Sequence, residues 1–165
     1  MGNLDLTQKR SYSVIPRDQY FRAGAGAIIS DGDGNVLALE RANIAHAWQM
    51  PQGGVKENEE PLQAVLREIQ EETGIPPTQL ELVGAYPGPL AYELPPEARS
   101  RKTGRGQVQY WFLFKLKPGG EAAIDLGAGT EFRAWRWMPL QQLVGKAVAF
   151  RMPVYRRLAD YFSAK

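Results

Sequence analysis

Glu68, Glu71 and Glu72 stand at i, i+3 and i+4. On a helix that spacing gathers three carboxylates on one face, where like charges repel. A hard divalent cation prefers oxygen ligands and would offset the repulsion directly. Arg67, beside Glu68, could orient a carboxylate through a two-pronged contact. The chemistry such a set supports is the binding of a divalent metal ion. A solvated acidic helix face satisfies the same spacing, and the three glutamates alone do not decide between the two.

These residues belong to a longer acidic stretch, Gly53 to Ile75. It holds six glutamates (Glu57, Glu59, Glu60, Glu68, Glu71 and Glu72) against Lys56 and Arg67. The whole chain of 165 residues carries a net charge of +2, so the basic surface lies elsewhere and could hold an anion.

The stretch must be positioned by a helix. Pro61 suits a first turn, where a missing N–H is harmless. Leu62, Val65, Leu66, Ile69 and Thr73 follow helical spacing and predict one buried stripe, with the acidic face well away from it. Gly74 is the residue expected just past the C-terminus, and Pro76-Pro77 forbid continuation. Strands are expected at residues 21–30, 36–40, 80–86, 107–116 and 133–138, with another around Tyr12 to Ile15. Asp31 to Asn35, DGDGN, reads as a hairpin turn. Residues 42–54 read as a loop or broken strand, and residues 87–106 as a long Pro- and Gly-rich loop, a kind that often carries function. PLQQLVG starts a short helix, and residues 153–165 form an amphipathic one with Val154, Leu158, Tyr161 and Phe162 on one face. About six strands with a central and a C-terminal helix make a mixed α/β domain.

Composition narrows the functional classes. A chain that is 44% hydrophobic and 23% charged supports one domain with a real core. The sequence divides into an N-terminal arm, residues 1–20, and one domain, residues 21–165. With no cysteine, disulfide frameworks, thiolate metal sites and thiol catalysis are excluded. No run is long and apolar enough for a membrane span, and MGNLDLTQKRSYSV lacks the apolar core of a signal peptide. A cytoplasmic enzyme without membrane partners is the expectation. Oligomeric state is left open.

The wider pattern separates the two readings of the glutamates. Gly53, Glu59, Arg67, Glu68, Ile69, Glu71, Glu72, Gly74 and Ile75 match G-x5-E-x7-R-E-U-x-E-E-x-G-U at every specified position, U being a bulky aliphatic. The chain therefore resembles the Nudix hydrolase family. The resemblance implies an α/β/α sandwich around a mixed β-sheet. It implies hydrolysis of a nucleoside diphosphate linked to another group, with Mg²⁺ as cofactor and Mn²⁺ as its substitute. Carried onto this chain, Glu68, Glu71 and Glu72 are metal ligands, joined by the Gly53 carbonyl. Arg67 and Glu59 orient them, and Arg67, Glu68, Glu71 and Glu131 form the catalytic set. Glu131 resembles a loop glutamate that serves as extra metal ligand or general base.

Flanking residues point to a branch. Trp48-Gln49-Met50-Pro51-Gln52-Gly53-Gly54 resembles the W-Q-x-P-Q-G-G segment shared by asymmetric dinucleoside polyphosphate hydrolases and bacterial RNA pyrophosphohydrolases. Tyr92-Glu93-Leu94-Pro95, Trp111-Phe112, Trp135-Arg136-Trp137, Phe150-Arg151 and Val154-Tyr155-Arg156-Arg157 extend the match across nearly the whole of residues 21–162. In this branch Arg41 contacts phosphates, Tyr92 and Phe150 are placed to stack on a base, and Arg151 is a basic group beside it. The implied activity is asymmetric cleavage of diadenosine tetraphosphate and related compounds. The alternative is removal of pyrophosphate from a 5′-triphosphate RNA end, and a catalytically silent nucleotide-binding module is the rival of another class. Tyr110 departs from the branch, which commonly has a phosphate-facing lysine there; Lys102 or Arg105 could supply that contact. Trp48, Trp111, Trp135 and Trp137 are read as core, and His46 is given no role. The bases Arg99, Arg101, Lys102 and Arg105 sit in one loop.

Overall fold

The computed structural model describes Pro16, residues 19–127 and residues 131–164. The expected strand around Tyr12 to Ile15 and most of the expected arm lie outside the described residues. Eight strands form one mixed sheet: β1 (Phe21–Ser30), β2 (Asn35–Arg41), β3 (Trp48–Gln49), β4 (Gln52–Gly54), β5 (Leu80–Ala85), β6 (Leu90–Glu93), β7 (Gly106–Leu116) and β8 (Phe132–Pro139). The helices are α1 (Pro61–Thr73), α2 (Leu140–Val144) and α3 (Met152–Ser163).

β1 and β7 are the spine, paired in parallel from Phe21↔Gly106 to Ser30↔Lys115. The other strand pairs are antiparallel. Both sheet faces are covered, which is why the central strands read as continuous apolar runs rather than alternating ones. Alternation is still present, hidden within those runs. Ala25, Ala27, Ile29, Leu37 and Leu39 pack with Val65 and Ile69 of α1. Ile28, Val36 and Ala38 face the other way, against Leu143, Tyr155 and Leu158 of α2 and α3. The result is the expected α/β/α sandwich. β1 is built of small residues because its neighbours come close: a Cβ on Gly26 would stand 2.5 Å from Trp111 Cη2.

The structure refines several expectations. The segment read as a loop or broken strand holds β3 and β4, which pair with β2 and β1 respectively. The long loop after residue 87 contains β6, paired with β7 from Leu90↔Gln109 to Glu93↔Gly106. Trp48 and Trp111 are core, whereas Trp135 and Trp137 are half-buried and meet edge to face. Leu62 and Leu66 lie at the margin of the α1 stripe, and Ala64 takes a fully buried place.

Tyr155 fixes α3 to the loop that precedes β4. Its ring is fully buried, edge to face with Trp111 at 5.8 Å, and its hydroxyl accepts the Met50 N–H at 3.0 Å. Burial pushes the phenol up from 10.0 to about 12. The folded state therefore keeps its proton where the unfolded chain loses it. Stability contributed by Tyr155 is fully present below pH 10 and falls as pH rises toward about 12. Tyr155→Phe leaves the Met50 N–H unpaired and should cost about 1–3 kcal/mol at neutral pH. Urea unfolding at pH 7 and above pH 10 checks both effects: the variant should start less stable and lose less on the alkaline side. Equal stability at pH 7 would contradict the assignment.

Candidate active site

The site is built where β4 and the turn after it meet α1. Arg67, on the second turn of α1, ties them together. Its Nε and Nη2 grip both oxygens of Glu59, at 2.8 and 2.9 Å. Nη2 also donates to the Gly54 carbonyl at 2.8 Å, and Nη1 donates to Glu68 at 2.6 Å and Glu71 at 3.3 Å. Glu59 accepts the Lys56 N–H as well, at 2.9 Å. The Arg67 fork, with help from that N–H, holds the Glu59 carboxyl down at about 2. A capping box, Glu60 with Gln63, starts the helix one residue later.

The three helix glutamates occupy different environments. The Glu71 side chain is 55% exposed and that of Glu68 is 15% exposed. Glu72 is buried and accepts the Gln52 N–H at 3.0 Å. The acidic face is thus not well away from the buried one. Glu72 turns inward beside Thr73 because β4 offers it a backbone donor. Gly53 sits against the same cluster, where any Cβ would overlap the Glu68 carboxyl group. The Gly53 carbonyl lies beside Gly24, 3.0 Å from where a Cβ on that residue would stand.

Burial raises the Glu68 carboxyl above its usual range, opposed by Arg67 and reinforced by the charges of Glu71 and Glu131. Burial raises Glu72 well above it, opposed by the Gln52 N–H and reinforced by Glu131 and Glu68. The charge of Glu131 therefore reaches both helix carboxylates, although it comes from a different segment. Glu131 itself is exposed, and its carbonyl accepts the Ala42 N–H at 2.8 Å.

Among the described residues no three acidic or imidazole side chains converge on one coordination point. Glu68 is turned to Arg67 and Glu72 to Gln52. The donor set is nonetheless all oxygen, crowded with like charge and pressed against a glycine whose missing side chain makes room for the Glu68 carboxyl. That chemistry fits a hard divalent cation.

The residues expected to meet substrate cluster around a buried polar line. Arg41 ends β2 at a bulge and donates to Asn43 at 3.0 Å and Gln49 at 3.3 Å. Arg151 is buried and donates to the same Gln49 oxygen. An arginine only donates, so the Gln52 oxygen belongs on its side, 2.6 Å from Arg151 Nη2. The line continues to Gln109, 3.0 Å from Gln52, and on to Gln107 at 2.9 Å. Tyr92 and Phe150 are brought together, but they stack on each other, centroids 5.4 Å apart. Tyr92 is 6% exposed, so that ring face is already occupied, and Phe150 is half-buried. Arg151 lies over both rings, at 5.8 and 5.5 Å. Sequence reasoning assigned no role to Gln49, Gln52 or Gln109; the recurrence of glutamine at positions 107 and 109 of a largely apolar strand was the available sign. His46 is exposed at a positive φ of 63°.

The family pattern described as NUDIX domain matches residues 20–158. An RNA pyrophosphohydrolase of Teredinibacter turnerae is 42% identical over 141 residues, 83% of this chain and 82% of that protein. One of Cereibacter sphaeroides is 39% identical over 157 residues, 91% of this chain and 95% of its own. Among solved structures, a C. elegans Ap4A hydrolase superimposes with a TM-score of 0.60 at 25% identity, covering 87% of this chain and 99% of that one.

Gly53→Ala tests the packing of the site. The new methyl must displace the Glu68 carboxyl, and a displacement near 1 Å should lower turnover ~10²-fold. Steady-state kinetics with a parallel melting curve check this; turnover within threefold of the parent would refute the close approach.

Proposed function

The chain belongs to the Nudix family, and from that we propose that it cleaves a phosphoanhydride bond in a nucleotide polyphosphate, the 5′-triphosphate end of RNA foremost. The observation that carries the hydrolytic reading is the Arg67 array, which holds Glu59, Glu68, Glu71 and the Gly54 carbonyl in one bonded set. Residues 21–165 act as one catalytic domain.

Glu68, Glu71, Glu72 and Glu131 are the residues that would hold the cation, Mg²⁺ by preference, with the Gly53 carbonyl as a further donor. When bound, the ion neutralises phosphate charge and makes water a better nucleophile. Arg67 fixes the orientation of Glu68 and Glu71. Glu131, whose side chain makes no hydrogen bond among the described residues, is free to accept the proton of the attacking water. Arg41 and Arg151, sharing one Gln49 oxygen, present positive charge to the polyphosphate. Phe150, half-buried above Tyr92, offers its remaining face to a base.

RNA ranks first because the relatives at 42% and 39% identity carry that activity in their names and match most of both chains. The mutual stack of Tyr92 and Phe150 supports the same order, since it uses up an aromatic face that a second nucleoside would need. Dinucleoside polyphosphates, which the sequence resemblance placed first, become the second reading, favoured by the likeness to an Ap4A hydrolase. No helix among the described residues is long and apolar enough to cross a membrane, which agrees with a cytoplasmic place of action.

The test is a side-by-side assay on a triphosphorylated oligoribonucleotide, diadenosine tetraphosphate and ADP-ribose with Mg²⁺. RNA should give the highest kcat/KM, by about tenfold or more; the reverse order would move the protein to the second reading. Chelation should abolish turnover and Mg²⁺ restore it. Glu72→Gln should lower turnover roughly a hundredfold or more on every substrate while the fold survives. Near-normal turnover in that variant would sink the carboxylate assignment.

A further inference from the structure

One basic surface is left unused by this account. It lies at the start of β1 and β7, beside the turn at residues 99–105. Five cations gather there, Arg22, Arg99, Arg101, Lys102 and Arg105, against Glu93 and Glu97. Arg99 and Arg105 are both spent on Glu93, at 3.2 and 2.8 Å. Arg101 and Lys102 are exposed and form no ion pair among the described residues. The turn that carries them is built to hold a shape. Ser100 Oγ accepts the Lys102 and Thr103 N–H groups at 3.2 and 3.1 Å, and Thr103 Oγ1 donates to the Ala98 carbonyl at 2.9 Å.

Two further features give the patch a direction. Arg22 donates to the Lys102 carbonyl at 2.6 Å, and its Nη2 stands 3.4 Å from where a Cβ on Gly54 would lie. Gly54 is the residue whose carbonyl Arg67 holds, so the basic turn adjoins the catalytic loop through one side chain. Beside it, Tyr20 and Phe21 are 48% and 39% exposed, and Arg105 lies over the Phe21 ring at 5.8 Å. Free cations interleaved with exposed aromatic rings suit single-stranded nucleic acid. The cations track the phosphates, and the rings stack bases without regard to sequence.

We propose that Tyr20, Phe21, Arg22, Arg101 and Lys102 form a lane for the body of a single-stranded RNA whose 5′ end occupies the Arg67 site. This rests on the RNA reading. The lane takes nucleotides downstream of the cleaved end, so it acts on substrates of several nucleotides and not on the reacting phosphates.

The experiment compares the parent with Arg101→Ala/Lys102→Ala, and separately with Phe21→Ala, on 5′-triphosphate oligoribonucleotides of two and ten nucleotides. In the parent the ten-nucleotide substrate should have the higher kcat/KM, by about tenfold, and each variant should collapse that ratio toward one. Binding of a 5′-hydroxyl decamer, which cannot be cleaved at a triphosphate, is titrated against salt. Loss of two phosphate contacts should make the log–log slope shallower by about 1.4 in the double variant. An unchanged length ratio with an unchanged salt slope overturns the lane. Absence of turnover on triphosphate RNA by the parent, with the slope change still seen, overturns the RNA 5′-end reading and leaves the lane standing as an RNA-binding surface.

Discussion

The guanidinium of Arg67 is the interaction on which the site depends. A planar fork can hold both oxygens of one carboxylate and still reach other acceptors. Here it grips Glu59, reaches the Gly54 carbonyl and lies against Glu68 and Glu71. It joins the turn before α1 to the face of α1. Without a cation in that place, the carboxylates would repel one another and the turn would have no anchor on the helix. Lysine, a point charge on a flexible stem, could not make the same set of bonds.

The rest of the fold serves to bring β4 to that arginine. β1 pairs with β7 on one side and with β4 on the other, and α1 packs on the face that Ala25, Ala27 and Ile29 offer. β4 then contributes three things at one point: the Gln52 N–H for Glu72, the bare Gly53 beside Glu68, and the Gly54 carbonyl for Arg67. On the opposite layer, Tyr155 secures the chain just before β4 through Met50, so α3 stabilises the site without touching its chemistry. The buried line from Arg151 through Gln52 to Gln109 links that layer to the cluster.

Much of this was legible in the sequence. Pro61 at the helix start and Gly74 at its end located the helix that carries Arg67 and the glutamates, because those signals are local. The α/β/α layering came from the family resemblance, while the pattern of strands and helices alone reached only a mixed α/β domain. What stayed hidden depends on partners distant in the chain. Glu72 turns inward only because Gln52 supplies a donor from another element. β6 is four residues long, too short for alternation to declare it within a Pro-rich loop. The meeting of Tyr92 with Phe150 arises when β6 and the turn before α3 pack together, and neither residue's neighbours announce it.

A double-mutant cycle on turnover tests the central claim most directly: Glu59→Gln, Arg67→Gln and the two combined. If Arg67 works through the array that Glu59 anchors, the double variant should be about as slow as Arg67→Gln alone, because residues that act as a unit give strongly non-additive losses. Losses that multiply, with the double variant slower by the product of the two single effects, would contradict the account.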